Sequence, residues 1–83
     1  MRIDPKNYAV VGLCSICGQG RLIVAREDSS GALYVLCANS EAEWHSPEDM
    51  KNIKAATRDI FGRSTLLARE EVEEHPWARF LEK

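Results

Sequence analysis

Cys14-Ser15-Ile16-Cys17-Gly18-Gln19-Gly20 is the stretch on which the fold turns. Two thiols three residues apart, with a glycine directly after the second, suit a tight turn. On such a turn both sulfurs and the surrounding amides can converge on one ion. Gly18 and Gly20 can take positive φ, so the chain can reverse there without a Cβ clash. A thioredoxin-like use of C-x-x-C would place the pair at the start of a helix, where the dipole activates the first thiol. The glycines directly after Cys17 speak against a helix, which leaves a metal knuckle or plain buried thiols.

The residues after the turn strengthen the knuckle. Arg21-Leu22-Ile23-Val24-Ala25-Arg26 has strand composition, and Asp28-Ser29-Ser30-Gly31 reads as a hairpin turn. Ala32-Leu33-Tyr34-Val35-Leu36-Cys37 is the returning arm. Antiparallel arms of this length carry the third cysteine, Cys37, back beside Cys17. Upstream, Tyr8 to Leu13 reads as a strand or an extended lead-in. Downstream, 38–43 reads as a second turn, with Trp44 entering a short third strand.

The chain has 3 cysteines, so they cannot all pair, and a disulfide framework is not expected. A complete ribbon would carry its fourth cysteine at position 40, where Ser40 stands instead. Four side chains compete for that role: Ser40, Glu41, Glu43 and His45. Serine binds zinc poorly because its hydroxyl keeps its proton. His45 lies five residues further on, roughly 16 Å of extended chain, and would need the segment to fold back. Glu41 and Glu43 are nearer and chemically able. Zinc is therefore the expected cofactor, held by Cys14, Cys17 and Cys37.

At Ser46-Pro47-Glu48-Asp49 the pattern changes to helix. Ser46 suits an N-cap, Pro47 the first helical position, and Asp49 completes an S-x-x-D box. Met50, Ile53, Ile60 and Phe61 fit helical spacing up to Gly62. A last helical segment is expected over 68–81, broken at Pro76, with Val72, Trp77, Phe80 and Leu81 inward and the glutamates outward. His75, between Glu74 and Pro76, reads as exposed or capping. The expected fold is a small α+β domain spanning 1–83. A zinc-ribbon-like hairpin or three-stranded antiparallel sheet fills 1–45, and C-terminal helices over 46–83 pack on it. Trp44 and Trp77 should both be substantially buried, Trp44 tying the two parts together.

Eighty-three residues allow one core, and the 45% hydrophobic, 29% charged composition is that of an ordinary globular domain. Apolar runs fall far short of the roughly 18 residues of a membrane span, and 1–6 lack a signal-peptide core. A cytoplasmic protein without membrane association is expected. The net charge of -2 is unevenly spread. Residues 1–26 carry Arg2, Lys6, Arg21 and Arg26 against Asp4, whereas 27–83 hold an excess of acid that peaks at Glu70-Glu71-Val72-Glu73-Glu74. Such a surface repels phosphate backbones and complements a basic protein. No phosphate loop, nucleophile elbow or H-E-x-x-H occurs, so catalysis is not expected.

Cys14-x-x-Cys17-Gly18, Cys37-Ala-Asn-Ser40-Glu-Ala-Glu-Trp44-x-Ser46-Pro47-Glu48-Asp49 and Glu70-Glu71-Val72-Glu73-x-x-x-Trp77 together carry a family likeness. The chain resembles small bacterial zinc-ribbon-like immunity proteins of contact-dependent-inhibition and polymorphic-toxin systems, and similar uncharacterised bacterial proteins. Ser40 departs from that pattern, which would have cysteine there. The resemblance implies a protein that binds and neutralises a cognate toxin. An acidic inhibitor would suit a nuclease toxin, whose cleft is basic. The acidic residues expected to face the partner are Glu41, Glu43, Glu48, Asp49, Glu70, Glu71, Glu73 and Glu74. A nucleic-acid-associated or regulatory zinc ribbon is the alternative.

Overall fold

In a computed structural model, residues 7–18, 20–58 and 60–82 are described. The opening charges Arg2, Asp4 and Lys6 lie outside them. Five strands form one antiparallel sheet: β1 (Val10–Leu13), β2 (Arg21–Glu27), β3 (Leu33–Cys37), β4 (Glu43–Trp44) and β5 (Ser64–Leu66). β2 and β3 are the expected hairpin, with Leu22 opposite Cys37 and Arg26 opposite Leu33. Its turn closes where Glu27 N–H donates to Ala32 O and Gly31 N–H to Glu27 O, both at 2.8 Å.

β2 is the centre of the sheet, and Leu22 to Ala25 are buried without interruption. A strand covered on both faces needs such a run rather than strict alternation. Its inner face, Leu22 and Val24, joins Val11, Val35, Trp44, Leu67 and Val72 in the core. On the other face Tyr34 stacks against Phe61 with ring centroids 3.9 Å apart, and its hydroxyl donates to Ser64 Oγ at 2.6 Å. Burial is the main cause that raises the Tyr34 phenol above its ordinary pKa of 10.0.

β1 and β5 share one edge of β2. β1 pairs with Arg21–Ile23 and β5 with Ala25–Glu27. Where they meet, three amides close a ring. Ala9 N–H donates to Leu67 O, Leu67 N–H to Val24 O, and Val24 N–H to Ala9 O, at 2.9–3.0 Å.

The second half departs from the expected helices. Among the described residues its α-helix, α1, is only Arg69–Val72, and its other helical pieces are 3-10 turns at Pro47–Asp49, Ile53–Ala55 and Pro76–Phe80. Ser46 does cap the first turn, accepting from Glu48 N–H at 3.2 Å, with Pro47 at its start. Asn52 then takes an extended backbone, and its side chain accepts from Lys54 N–H. Such a side-chain cap offers the backbone an alternative to continuing the helix. Ile53 and Ile60 are accordingly exposed rather than inward. Ser64–Leu66, unassigned from sequence, becomes a strand because β2 has an open edge to pair with. The sheet thus has more strands than the expected three, and the region beyond residue 45 is woven into it.

The break at Pro76 is present, and His75 caps the final turn by accepting from Trp77 N–H on Nδ1 at 3.1 Å. Glu71 supplies half of a capping box at α1, accepting from Ala68 N–H at 2.8 Å. Trp44 is fully buried and donates from Nε1 to Asn52 O at 3.0 Å, which ties the sheet to the 46–55 segment. Trp77 is half-buried against the core. Among the described residues no helix is long and apolar enough to cross a membrane.

Candidate metal centre

The first knuckle is built by its own backbone. Gly18 N–H donates to Cys14 O at 2.9 Å, and Cys14 N–H to Gly20 O at 2.8 Å. Gly18 sits at φ +70°, the left-handed conformation glycine adopts at no steric cost. Gly20 is required for a different reason: a Cβ there would lie 2.4 Å from Cys37 Sγ. The glycine lets the two cysteine-bearing turns close on each other.

The second turn repeats the first. Glu41 N–H donates to Cys37 O at 3.1 Å, as Gly18 does to Cys14, and Glu41 has φ 65° against 70° for Gly18. Cys37-Ala38-Asn39-Ser40-Glu41 therefore shares the closing hydrogen bond and the left-handed fifth residue of Cys14-Ser15-Ile16-Cys17-Gly18. Ser40 occupies the place of the second cysteine.

The three Sγ atoms lie within 4.8 Å of one another, and Cys17 and Cys37 are 3.7 Å apart. A disulfide needs about 2.05 Å, and none is formed. A tetrahedral zinc with Zn–S near 2.3 Å holds its sulfurs about 3.8 Å apart, close to the 3.7 Å between Cys17 and Cys37. Three backbone amides point at the sulfurs. Ile16 N–H donates to Cys14 at 3.4 Å, Gly20 N–H to Cys17 at 3.2 Å, and Ser40 N–H to Cys37 at 3.3 Å. A ligand thiolate would meet donors there. Cys14 and Cys37 are buried and Cys17 is half-buried, so the cluster opens to solvent along its Cys17 side. The three cysteines are a possible metal site.

The four contenders for a fourth ligand separate clearly. Ser40 Oγ lies 3.7 Å from Cys14 Sγ. Among the described residues no histidine or carboxylate joins the cluster. Glu43 is turned elsewhere, only 5% exposed, with its Oε1 accepting from Thr57 Oγ1 at 3.1 Å and from Ile60 N–H at 3.4 Å. His45 is exposed and meets Phe61 edge-on, with centroids 5.2 Å apart. Glu41 is exposed at its left-handed position.

Of the acidic residues expected to face a partner, Glu43 is a correction. It is buried because its backbone bridges to Thr57, which draws the carboxylate inward. Glu41, Glu48, Asp49, Glu70, Glu71, Glu73 and Glu74 are exposed. Glu71 serves the helix cap, and Glu48 lies 3.9 Å from Arg79. The Ser40 equivalence was half visible in the C-x-x-S spacing. The left-handed Glu41 that completes it carries no glycine to announce it.

No protein-family model, curated protein or solved structure matches the chain.

Proposed function

We propose that this is a zinc-ribbon-like binding module, with no catalytic activity of its own. A structural zinc on Cys14, Cys17 and Cys37 locks its two knuckles together. The observation that carries the metal reading is the convergence of three sulfurs within 4.8 Å, Cys17 and Cys37 at the tetrahedral-edge spacing of 3.7 Å, with a backbone donor on each. Closing the 14–37 segment around an ion stabilises a chain too short for a large core.

The binding reading rests on charge. The exposed acids Glu41, Glu48, Asp49, Glu70, Glu73 and Glu74 complement a basic protein and repel nucleic acid. Together with the motif resemblance they support an immunity protein that binds and neutralises a toxin, a nuclease being the best electrostatic match. The test is capture of a protein partner from the native host, and then binding kinetics at two salt concentrations. A protein partner whose association slows with salt while dissociation changes less supports the reading. Recovery of nucleic acid, with affinity falling steeply in salt, overturns it.

A further inference from the structure

We infer that the corner of the cysteine cluster beside Ser40 is an exchangeable ligand position, able to take a small exogenous thiol when Cys14, Cys17 and Cys37 hold zinc. The inference rests on the zinc reading above. Its basis is the equivalence of the two turns. Cys17 and Ser40 occupy matching places, with Gly18 and Glu41 at φ 70° and 65° after them. The backbone therefore delivers Ser40 to the fourth corner, and Ser40 Oγ is found 3.7 Å from Cys14 Sγ.

The donor that arrives at that corner is weak. A hydroxyl stays protonated at neutral pH, while a thiolate is anionic and soft, the donor type that thiolate-selecting metals prefer. Among the described residues no intramolecular competitor replaces it. Glu43 is committed to Thr57 and Ile60, His45 to the ring of Phe61, and no carboxylate or imidazole among the described residues joins the three sulfurs. The corner is also reachable. Ser40 and Cys17 are half-buried while Cys14 and Cys37 are sealed, so the approach lies on the Ser40 and Cys17 side. In the exchange a thiol binds as thiolate and gives its proton to solvent. The Ser40 hydroxyl leaves the metal still protonated. No atom is oxidised or reduced.

Cobalt(II) in place of zinc makes the exchange visible, because sulfur-to-cobalt charge transfer grows with each thiolate bound. The full chain is loaded with cobalt, titrated with 2-mercaptoethanol, and compared with Ser40→Cys and Ser40→Ala. The expected result is a saturable rise of about one third in charge-transfer intensity, from three thiolates toward four. Ser40→Ala should respond at equal or lower thiol concentration, since no hydroxyl competes. Ser40→Cys should show the four-thiolate spectrum from the start and ignore added thiol. A parent spectrum that shows bound cobalt but does not change with thiol overturns the exchangeable corner and leaves the metal reading standing. A thiol that strips the cobalt altogether also overturns it. Absence of any thiolate–cobalt band in the parent overturns the metal reading itself, and this inference with it.

Discussion

Cys14 and Ser40 are 26 positions apart in sequence, yet their side-chain sulfur and oxygen lie 3.7 Å from each other. The contact exists because two unrelated pentapeptides adopt one turn geometry and face each other across the base of the β2–β3 hairpin. It places a hydroxyl beside a cluster of three sulfurs that could hold a metal. Whether that hydroxyl takes part in metal binding is open to direct measurement.

Metal removal should destabilise the protein. Protein purified without chelator should carry about one zinc per chain, and a strong chelator should lower its melting temperature. Structural zinc contributes on the order of 10 kcal/mol to folding in small peptides, and a site with a hydroxyl corner should give less. Cys37→Ser should lose the metal and the chelator effect together. Equal melting with and without chelator in zinc-loaded protein would contradict a structural role.

Gly20→Ala should disturb the site although it removes no ligand. The added methyl would sit 2.4 Å from Cys37 Sγ and 2.8 Å from Asn39 Cβ. Relieving that overlap should cost about 1–3 kcal/mol and weaken metal binding. Unchanged cobalt affinity in this variant would show that the turns separate without consequence.

Glu41→Gly should stabilise the domain. A non-glycine residue in the left-handed region costs roughly 1–2 kcal/mol, partly offset by the extra freedom glycine gives the unfolded chain. The expected net gain is about 0.5–1 kcal/mol, read as a shift of the denaturation midpoint at unchanged slope. A loss of stability would mean that the Glu41 side chain contributes more than its backbone costs.

Trp44→Ala should be severe. The indole is fully buried and its N–H is satisfied by Asn52 O at 3.0 Å. A cavity of this kind costs about 3–5 kcal/mol, much of the stability of a small domain. Thermal or denaturant melting measures it, and a variant melting like the parent would contradict the burial.

Glu27 should make stability fall in acid. Its carboxylate accepts from Gly62 N–H at 2.6 Å and from Ser30 Oγ, and these bonds hold its pKa below the ordinary 4.5. A depressed folded pKa means that the stabilisation is fully present above the unfolded value. It is lost as pH falls from about 4.5 through the folded value. The difference in melting temperature between the parent and Glu27→Ala should therefore shrink as pH is lowered through that window. A constant difference would show that ionisation is not involved.

The knuckle and hairpin were legible because their signals are local. Cys14-x-x-Cys17-Gly18 encodes its turn within five residues, and the hairpin arms carry their own strand composition and turn residues. Arm length then dictates the pairing of Leu22 with Cys37. Ser46-Pro47 was legible for the same reason. Ser64-Thr65-Leu66 was not, since three residues have little propensity of their own and become a strand only against β2. Glu43 was misread because a carboxylate in an acidic stretch looks solvated. Its burial depends on Thr57 and Ile60, and nothing in the spacing links them to it. Helix-like apolar spacing at Ile53 and Ile60 carried no information about packing, because Asn52 breaks the segment by a side-chain bond.

The ring of amides joining Ala9, Val24 and Leu67 cannot close during synthesis until Leu67 has been made. A chain emerging from the ribosome can form its knuckles and hairpin once residue 44 is free, but the edge of Ala25–Glu27 stays uncovered until Ser64–Leu66 arrives. Over that interval of translation the nascent sheet presents unpaired backbone groups to its surroundings, a template for neighbouring nascent chains. Arg26 and Glu27 at that edge place charge where a hydrophobic strand would otherwise dock.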